Sequence, residues 1–210
     1  MQNIYLTIFL SLLFYFIGSV PTAYILLKKL HKKDITKEGS GNVGAMNSYD
    51  VSGSKKTGIL VFLLDFLKGL IPTLLVLKVF SLNFDDLIIP LSALVIGHNY
   101  SVWLRYKGGR GLSTAAGILV VINYWAVVIW CLLYLLSLLI KKNVHIDNTV
   151  ATILLPFMLL ILNSQGLMCN CTGNINFGQF LILCSIICFV VFLKHISPIL
   201  NLIRKNDKSI

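Results

Sequence analysis

Hydrophobic residues in this chain are grouped in long blocks that are separated by short polar segments. The apolar runs cover approximately residues 4–27, 58–80, 86–104, 112–123, 125–140, 150–164 and 177–193. A run of about 20 apolar residues has the length of a membrane-spanning helix. The pattern therefore predicts an all-α integral membrane protein with about seven transmembrane helices. The first run has no preceding basic residue and exceeds the length of a signal peptide, so we expect it to be retained.

Composition supports this prediction and excludes a soluble globular domain. Of the 210 residues, 57% are hydrophobic and only 12% are charged, whereas about a quarter are charged in an average soluble domain. The short segments between the runs leave no room for a second domain. We therefore expect residues 1–210 to form a single polytopic membrane domain. The chain also has no evident internal repeat, which disfavours a transporter built from inverted repeats.

The net charge of +10 is distributed unevenly along the chain. Four segments hold 16 of the 18 lysines and arginines, namely 28–56, 105–110, 141–142 and 194–210. This alternation is typical of the positive-inside rule, by which basic loops remain in the cytoplasm. It predicts an external N-terminus and a cytoplasmic C-terminus. Nucleic acid is excluded as a partner because no aromatic side chains are interleaved with the basic ones.

The loops that contain candidate functional residues are those at about 34–57 and 97–114. This topology places both on the cytoplasmic face. The first contains Gly39-Ser40-Gly41-Asn42-Val43-Gly44 and, shortly after, Asn47. Closely spaced glycines allow backbone N–H groups to converge on one point and bind an anion. The order of a Walker motif is absent. A flexible connector is the alternative interpretation of this segment.

The second loop combines glycines with cations. Its candidate residues are Gly97, His98, Asn99, Arg105, Lys107, Gly108, Gly109 and Arg110. A helix that begins near Leu112 would add the positive end of its dipole to the same loop. Two such loops on one membrane face predict a phosphorylated ligand. His98 can be either a structural, hydrogen-bonded histidine or a catalytic one.

Charged residues also occur inside one apolar run, at Asp65 and Lys68. Ionised groups within a membrane are costly unless they are paired. Residues three apart lie on one face of a helix, so we expect a structural ion pair.

The remaining polar features favour structural roles. Cys169 and Cys171 form a C-x-C pair without a second pair of ligands, so no metal site is predicted. Ser197 and Pro198 are typical of an N-cap and a first helical residue, which predicts a short basic interfacial helix after the last span.

Taken together, these segments resemble the bacterial acyl-phosphate:glycerol-3-phosphate acyltransferase family (the PlsY type). The matching residues are Gly18-Ser19-Val20-Pro21-Thr22-Ala23, Asp34, Gly39 to Ala45, Asn47, Asp65-Phe66-Leu67-Lys68-Gly69, Gly97-His98-Asn99, Lys107 to Gly111 and His195. The resemblance is dense over residues 16–115. Beyond them it depends on topology and on His195.

The resemblance implies transfer of a fatty acyl group from acyl phosphate to the 1-hydroxyl of glycerol 3-phosphate, giving lysophosphatidate and orthophosphate. It implies a protein of the bacterial cytoplasmic (inner) membrane that contacts membrane lipids and needs no cofactor and no metal. The implied catalytic residues are Ser40, His98 and His195. The implied phosphate-binding residues are Gly39, Ser40, Gly41, Asn42, Asn47, Lys107, Gly108, Gly109 and Arg110.

Several positions depart from the pattern of this family. Thr36, Met46, Asp50 and Pro198 stand where the family has arginine, threonine, arginine and asparagine, and Arg110 stands where lysine is usual. Lys55 or Lys56 is a candidate replacement for the lost cation, and Asn201 is a candidate replacement for the lost amide. A homologue that binds phosphate or lipid without turnover is the first alternative, and a small anion or lipid transporter is the second.

Overall fold

The structure is a computed structural model that describes residues 4–79, 82–141, 143–167, 171–172 and 174–207. Within these ranges the chain is helical and contains no strand. The helices are α1 (Ile4–Ser19), α2 (Thr22–His31), α3 (Ala45–Ser52), α4 (Lys55–Val79), α5 (Phe84–Asn99), a short 3-10 helix (Val102–Leu104), α6 (Leu112–Lys141), α7 (Val144–Ser164) and α8 (Phe177–Asp207). The all-α prediction is confirmed.

Six helical segments in the described ranges are long and apolar enough to cross a membrane. The sequence predicted about seven because it separated 112–123 from 125–140. Both of these runs lie within α6, which is interrupted at Asn123, where φ is −156° and ψ is 99°. The break predicted between the two runs therefore exists at Asn123, but both runs belong to the same helical element, α6. The count of seven crossings and the orientation of the termini stay predictions.

The first predicted span, 4–27, is wrong in one respect, because it is not a single helix. Helix α1 ends at Ser19 and α2 begins at Thr22. Pro21 has no backbone N–H and cannot continue the hydrogen-bond ladder. The carbonyl oxygen of Val20 instead accepts a 3.0 Å hydrogen bond from the N–H of Thr22. The interruption leaves irregular backbone within a segment of membrane-spanning length.

The predicted interfacial helix that starts at Ser197 is also wrong. Helix α8 continues from Phe177 to Asp207 with Pro198 in its interior. The proline ring removes one hydrogen bond to the preceding turn. The helix tolerates this loss because both flanking segments favour the helical conformation. No cap is needed where no helix begins.

The chain divides into two compact units, Met1–Val121 and Ile122–Ile210. In the first unit, glycines allow helices to cross at very short distances. A Cβ atom on Gly18 would lie 2.1 Å from the carbonyl oxygen of Leu94, and one on Gly97 would lie 2.2 Å from that of Tyr15. Such contacts are typical of membrane helices that pack through small residues. Helices α1 and α5 therefore lie backbone to backbone, beside both glycine-rich loops.

The second unit contains the rest of α6 together with α7 and α8. Asp147 is fully buried and accepts a 2.7 Å hydrogen bond from the hydroxyl of Ser137. The indole N–H of Trp130 donates to the hydroxyl of Thr152 over 3.1 Å. Polar side chains in this unit thus pair between neighbouring helices, as burial in an apolar environment requires. The single-domain organisation of the whole chain stays a prediction.

Candidate active site

The first glycine-rich loop is organised by the side chain of Asn47. This residue lies at the start of α3 and is only 2% exposed. Its Nδ2 donates to the carbonyl oxygens of Asn42 (2.9 Å), Glu38 (3.2 Å) and Ile35 (3.5 Å). Its Oδ1 accepts from the backbone N–H of Ser40 at 2.9 Å. The amide that the sequence assigned to phosphate binding therefore holds the loop in shape.

The loop has the backbone conformation that its glycines make possible. Gly39 and Gly41 have φ angles of +59° and +69°, in the region that other residues adopt only with strain. A Cβ atom on Gly39 would also lie 2.2 Å from Oδ1 of Asn47. Ser40 lies between these glycines and is exposed. Its hydroxyl oxygen accepts only a long hydrogen bond of 3.4 Å, from the N–H of Asn42.

The second glycine-rich loop is folded tightly around His98. The backbone N–H of Gly109 donates to the carbonyl oxygen of His98 over 3.0 Å. A Cβ atom on Gly108 would lie 2.1 Å from that same oxygen, and one on Gly109 would lie 2.1 Å from Nε2 of the His98 ring. Two adjacent positions thus exclude any side chain. The imidazole edge lies directly against the backbone of this loop.

The two loops are in contact with each other. A Cβ atom on Gly109 would lie 2.8 Å from the carbonyl oxygen of Val43, which belongs to the first loop. A narrow cleft at this contact is lined by Ser19, Val20, Pro21, Thr22, Val43, Lys68, His98, Ser101, Gly108 and Gly109. Its volume of about 10 Å³ is close to that of one water molecule. A larger ligand would therefore have to bind at the mouth of the cleft or separate the two loops.

A charged cluster forms one wall of this cleft. Asp65 is 1% exposed, and its Oδ1 lies 2.8 Å from Nζ of Lys68. The hydroxyl of Thr22 donates to the same carboxylate oxygen. Nζ of Lys68 also donates to the carbonyl oxygen of Val20 over 2.7 Å. The pair expected from the i, i+3 spacing is thus present, and it also holds the interrupted backbone between α1 and α2.

Asp65 also connects this cluster to the histidine of the second loop. Its Oδ1 lies 3.7 Å from Nδ1 of His98. The hydroxyl of Thr114 lies 3.3 Å from the same ring nitrogen and donates to the carbonyl oxygen of Asp65 over 3.0 Å. His98 is 7% exposed. Its ring is therefore fixed by groups from α4 and α6, with Nε2 directed towards Gly109.

The cations of the second loop differ in their environments. Lys107 is exposed, whereas Arg110 is half-buried. Burial lowers the pKa of the Arg110 guanidinium, which stays protonated at any physiological pH. One exposed and one half-buried positive charge thus lie in the loop that packs against His98.

Three of the positions that depart from the family pattern, Thr36, Met46 and Asp50, lie in or near the first loop. Thr36 donates its hydroxyl to Asp34 over 2.6 Å, and this hydrogen bond lowers the pKa of that carboxyl group. Met46 and Asp50 are exposed on α3. Lys55 and Lys56, the candidate replacements for a cation, are exposed in the first turn of α4. Thr36 therefore has a local structural role.

His195 belongs to the second unit, where it is fully buried on α8. Its Nδ1 lies 2.9 Å from the carbonyl oxygen of Val191, one turn earlier. Asn201 is exposed on the same helix. Of the predicted site residues in the first unit, Lys68, His98, Gly108 and Gly109 line the cleft. Ser40, Lys107 and Arg110 are not among its lining residues. His195 and Asn201 are described only within the second unit.

Metal binding is not indicated by the side chains that the structure describes. Among them, no group of three or more histidine, cysteine, aspartate or glutamate residues is arranged to hold an ion. Cys169 lies outside the described residues. Cys171 is buried, and its Sγ accepts a 3.7 Å hydrogen bond from Nδ2 of Asn123. The expected absence of a metal stays a prediction.

Sequence reasoning included the segment between α1 and α2 in the resemblance but assigned it no role in the site. Ser19, Val20 and Thr22 line the cleft, and the hydroxyl of Ser101 donates to the carbonyl oxygen of Ser19 over 2.6 Å. Pro21 within a long apolar run was the available signal, since a proline there frees backbone groups for other partners.

Comparisons with known proteins agree with this arrangement. The sequence model of the family described as glycerol-3-phosphate acyltransferase matches residues 8–205. Proteins named glycerol-3-phosphate acyltransferase from Phytoplasma australiense and Trichlorobacter lovleyi are 35% and 34% identical to the chain. The alignments cover 91% and 92% of this chain and 89% and 92% of the relatives.

Solved structures agree as well. Crystal structures of PlsY, an integral membrane glycerol 3-phosphate acyltransferase, in its glycerol 3-phosphate and lysophosphatidic acid forms superpose with TM-scores of 0.76 and 0.74. Both are 32% identical, and the alignment covers 95% of this chain and 92% of theirs. The chain, with its two glycine-rich loops joined around His98, belongs to the PlsY-type glycerol-3-phosphate acyltransferase family.

Proposed function

We propose that this protein transfers a fatty acyl group from acyl phosphate to the 1-hydroxyl of glycerol 3-phosphate, and releases lysophosphatidate and orthophosphate. The observation that carries the proposal is the contact between the two glycine-rich loops at Val43 and Gly109, beside His98 and Lys68. Each substrate contributes a phosphate, and each loop offers the groups that bind one.

Phosphate recognition is assigned to both loops. In the first, Ser40 and the backbone around Gly39, Gly41 and Asn42 are exposed or half-buried, so they are accessible to an anion from the water side. In the second, Lys107 and Arg110 supply positive charge. Backbone amides and cations together bind phosphate more strongly than either group alone.

The reaction depends more on the alignment of the two substrates than on the chemical activation of either one. The hydroxyl oxygen of glycerol 3-phosphate forms a bond to the acyl carbon, and the bond from that carbon to the phosphate oxygen breaks. The proton of the hydroxyl group leaves with the departing orthophosphate. Because orthophosphate is a good leaving group, alignment and charge neutralisation supply most of the acceleration. No redox partner is involved.

His98 is the catalytic histidine that the geometry favours in the first unit. Asp65 and Thr114 fix its Nδ1 side, which leaves the Nε2 edge facing the loop that contains Gly109. A fixed imidazole can orient the attacking hydroxyl or hold its proton in transit. His195 is retained as a second candidate for this role.

The cellular setting follows from the same chemistry. The chain is a multi-pass helical membrane protein. We place it in the bacterial cytoplasmic membrane with both loops facing the cytoplasm, where soluble glycerol 3-phosphate is available. The acyl phosphate is amphipathic and reaches the site from the surrounding lipid. Membrane lipids are therefore both its environment and the destination of its product.

The test is a reconstituted assay. The purified protein in phosphatidylcholine vesicles is given palmitoyl phosphate and glycerol 3-phosphate, and orthophosphate release is measured together with lysophosphatidate by mass spectrometry. We expect both products in equal amounts and only when both substrates are present. Release without glycerol 3-phosphate would indicate hydrolysis. Binding of either substrate without turnover would favour a degenerate homologue.

A further inference from the structure

Two segments of membrane-spanning length have neighbouring ends in the first unit. The segment Ile4–His31 ends with α2, and the segment Lys55–Val79 is α4. Nε2 of His31 lies 2.9 Å from Oγ1 of Thr57, so the last turn of α2 lies beside the first turn of α4. Because each apolar segment stops there, both turns belong at the level of the lipid headgroups.

Five lysines surround this contact between α2 and α4. Lys32 directly follows His31, and Lys56 directly precedes Thr57. All five are exposed, and together we call them the lysine patch: Lys28, Lys29, Lys32, Lys55 and Lys56. Among the residues that the structure describes, none of the five forms an ion pair with a carboxylate. The patch is therefore a concentration of positive charge at one point of the membrane surface.

Local stabilisation does not account for this charge. The nearby carboxylates of Asp34 and Glu38 pair with Lys37 at 4.0 Å and with Lys33 at 3.9 Å, outside the patch. Lys55 and Lys56 occupy the first turn of α4, where the positive end of the helix dipole disfavours cations. Cations are stabilising at the opposite end of a helix. The charge distribution therefore favours an anionic partner from outside the chain.

Three lysines of the patch stand one helical turn from an exposed apolar side chain further along the membrane segment. Residues four apart on a helix lie on the same face. The pairs are Lys55 with Ile59, Lys56 with Leu60, and Lys29 with Ile25. The apolar members are 59%, 40% and 36% exposed, respectively. A cation at the end of a segment with an apolar surface beside it matches a lipid, which carries its anionic headgroup at one end of its acyl chains.

We propose that the lysine patch binds the phosphate headgroup of an anionic phospholipid, with the acyl chains along the exposed apolar residues of α2 and α4. Lysines beside a membrane segment attract such lipids. This ligand is neither substrate of the proposed function, and the inference does not depend on that function. The chain between Lys32 and Lys55 contains the first glycine-rich loop and α3. A headgroup that contacts lysines of both helices therefore holds the two ends of this segment together.

The direct test is lipid binding by the purified protein in a neutral detergent. Native mass spectrometry measures the affinity for dioleoyl phosphatidylglycerol and for dioleoyl phosphatidylcholine. We expect the wild type to prefer the anionic lipid. Lys29→Gln/Lys32→Gln and Lys55→Gln/Lys56→Gln should each weaken its binding by about tenfold or more, since each lysine near the surface contributes to the attraction. Lys78→Gln is the matched control, because Lys78 is exposed at the other end of α4, and should change the affinity by less than about twofold.

Two further comparisons identify the ligand. The soluble deacylated headgroup, glycerophosphoglycerol, should compete poorly with the intact lipid, because it lacks the contacts to the apolar residues. Equal competition would indicate a soluble anion or an acidic protein surface and would overturn the proposal. Equal affinity of the wild type for both lipids would mean that the lysines only determine topology, which also overturns it. A salt concentration of about 0.5 M should weaken binding of the anionic lipid to the wild type more than to either double variant.

Orthophosphate release separates this inference from the proposed function. In phosphatidylcholine vesicles, we expect added phosphatidylglycerol to raise the kcat/KM of the wild type by about twofold or more, and this response should be lost in Lys29→Gln/Lys32→Gln. If Lys55→Gln/Lys56→Gln instead raises the KM for glycerol 3-phosphate and leaves lipid affinity unchanged, these lysines serve the substrate phosphate and the proposal is overturned. Lipid binding that depends on the patch in a protein without turnover would support the proposal and remove the proposed function.

Discussion

Oδ1 of Asn47 accepts a 2.9 Å hydrogen bond from the backbone N–H of Ser40. This contact holds the backbone of Ser40, the residue of the first loop to which the resemblance assigns a catalytic role. Nδ2 of the same side chain donates hydrogen bonds to three carbonyl oxygens of the loop. We therefore expect Asn47 to affect substrate binding through the loop that it shapes, and its hydrogen bond holds the backbone of Ser40 in place.

Replacement of the Asn47 side chain should disorder the first glycine-rich loop. In Asn47→Ala, one backbone N–H and three carbonyl oxygens lose their partner, which should cost about 2 kcal/mol of stability. We expect faster proteolysis between residues 34 and 44 and at least a tenfold lower kcat/KM. Met46→Ala is the control, since Met46 is the exposed neighbour on the same helix. Equal behaviour of the two variants would contradict the role of the amide.

A methyl group at Gly109 should separate the two loops. Its Cβ would overlap the ring of His98 and the carbonyl oxygen of Val43. We expect Gly109→Ala to lower kcat by about a hundredfold, the loss that a displacement of about 1 Å can cause. Gly178→Ala serves as the control, because the nearest atom to its Cβ would be 3.3 Å away. Wild-type kcat in Gly109→Ala would refute the importance of this contact.

The hydroxyl of Ser40, which we assign to phosphate binding, makes one long hydrogen bond among the residues that the structure describes. We therefore expect folding not to depend on it. We expect Ser40→Ala to keep the wild-type melting temperature and to lower kcat/KM about 10- to 100-fold, as for the loss of a hydrogen bond to a charged group. Ser164→Ala, which removes an exposed hydroxyl bonded within its own helix, should be neutral. A fully active Ser40→Ala would remove Ser40 from the site.

We expect variants of the Asp65–Lys68 pair to affect thermal stability and enzymatic activity differently. Asp65→Leu leaves the ammonium of Lys68 without its counter-ion, and breaking a buried pair costs about 3–5 kcal/mol. The double variant Asp65→Leu/Lys68→Met should recover most of the thermal stability, because an apolar pair replaces the charged one. Activity should not recover, since Lys68 lines the cleft.

Each outcome for this pair can be measured by thermal unfolding in detergent together with orthophosphate release. Asp85→Asn is the reference variant, because Asp85 is exposed in the first turn of α5 and should change little. If the double variant regained activity along with stability, the pair would have only a structural role.

The sequence failed at two positions for different physical reasons. The hydrophobic pattern located the helices, but it could not locate the interruption at Val20–Pro21 as part of a site, because the partner of Val20 is Lys68, 48 residues away. It also placed a helix start at Ser197, where the helix continues. There the local preferences of serine and proline do not outweigh the packing and backbone hydrogen bonding of a long apolar helix.

The roles of single side chains could not be predicted from the sequence either. Asn47 and Ser40 stand seven residues apart in one glycine-rich segment, and both were assigned to phosphate. Only the fold distinguishes them, since it buries Asn47 among carbonyl oxygens and exposes Ser40.

By itself the sequence determined the helical membrane class, the loops that carry chemistry and the pairing of Asp65 with Lys68, because each depends on residues close together in the chain. The tertiary structure decided that Gly109 meets Val43 and that Asp65 reaches His98. Those relationships join segments between about 30 and 70 residues apart, and their distances are set by how closely glycine-bearing helices can pack.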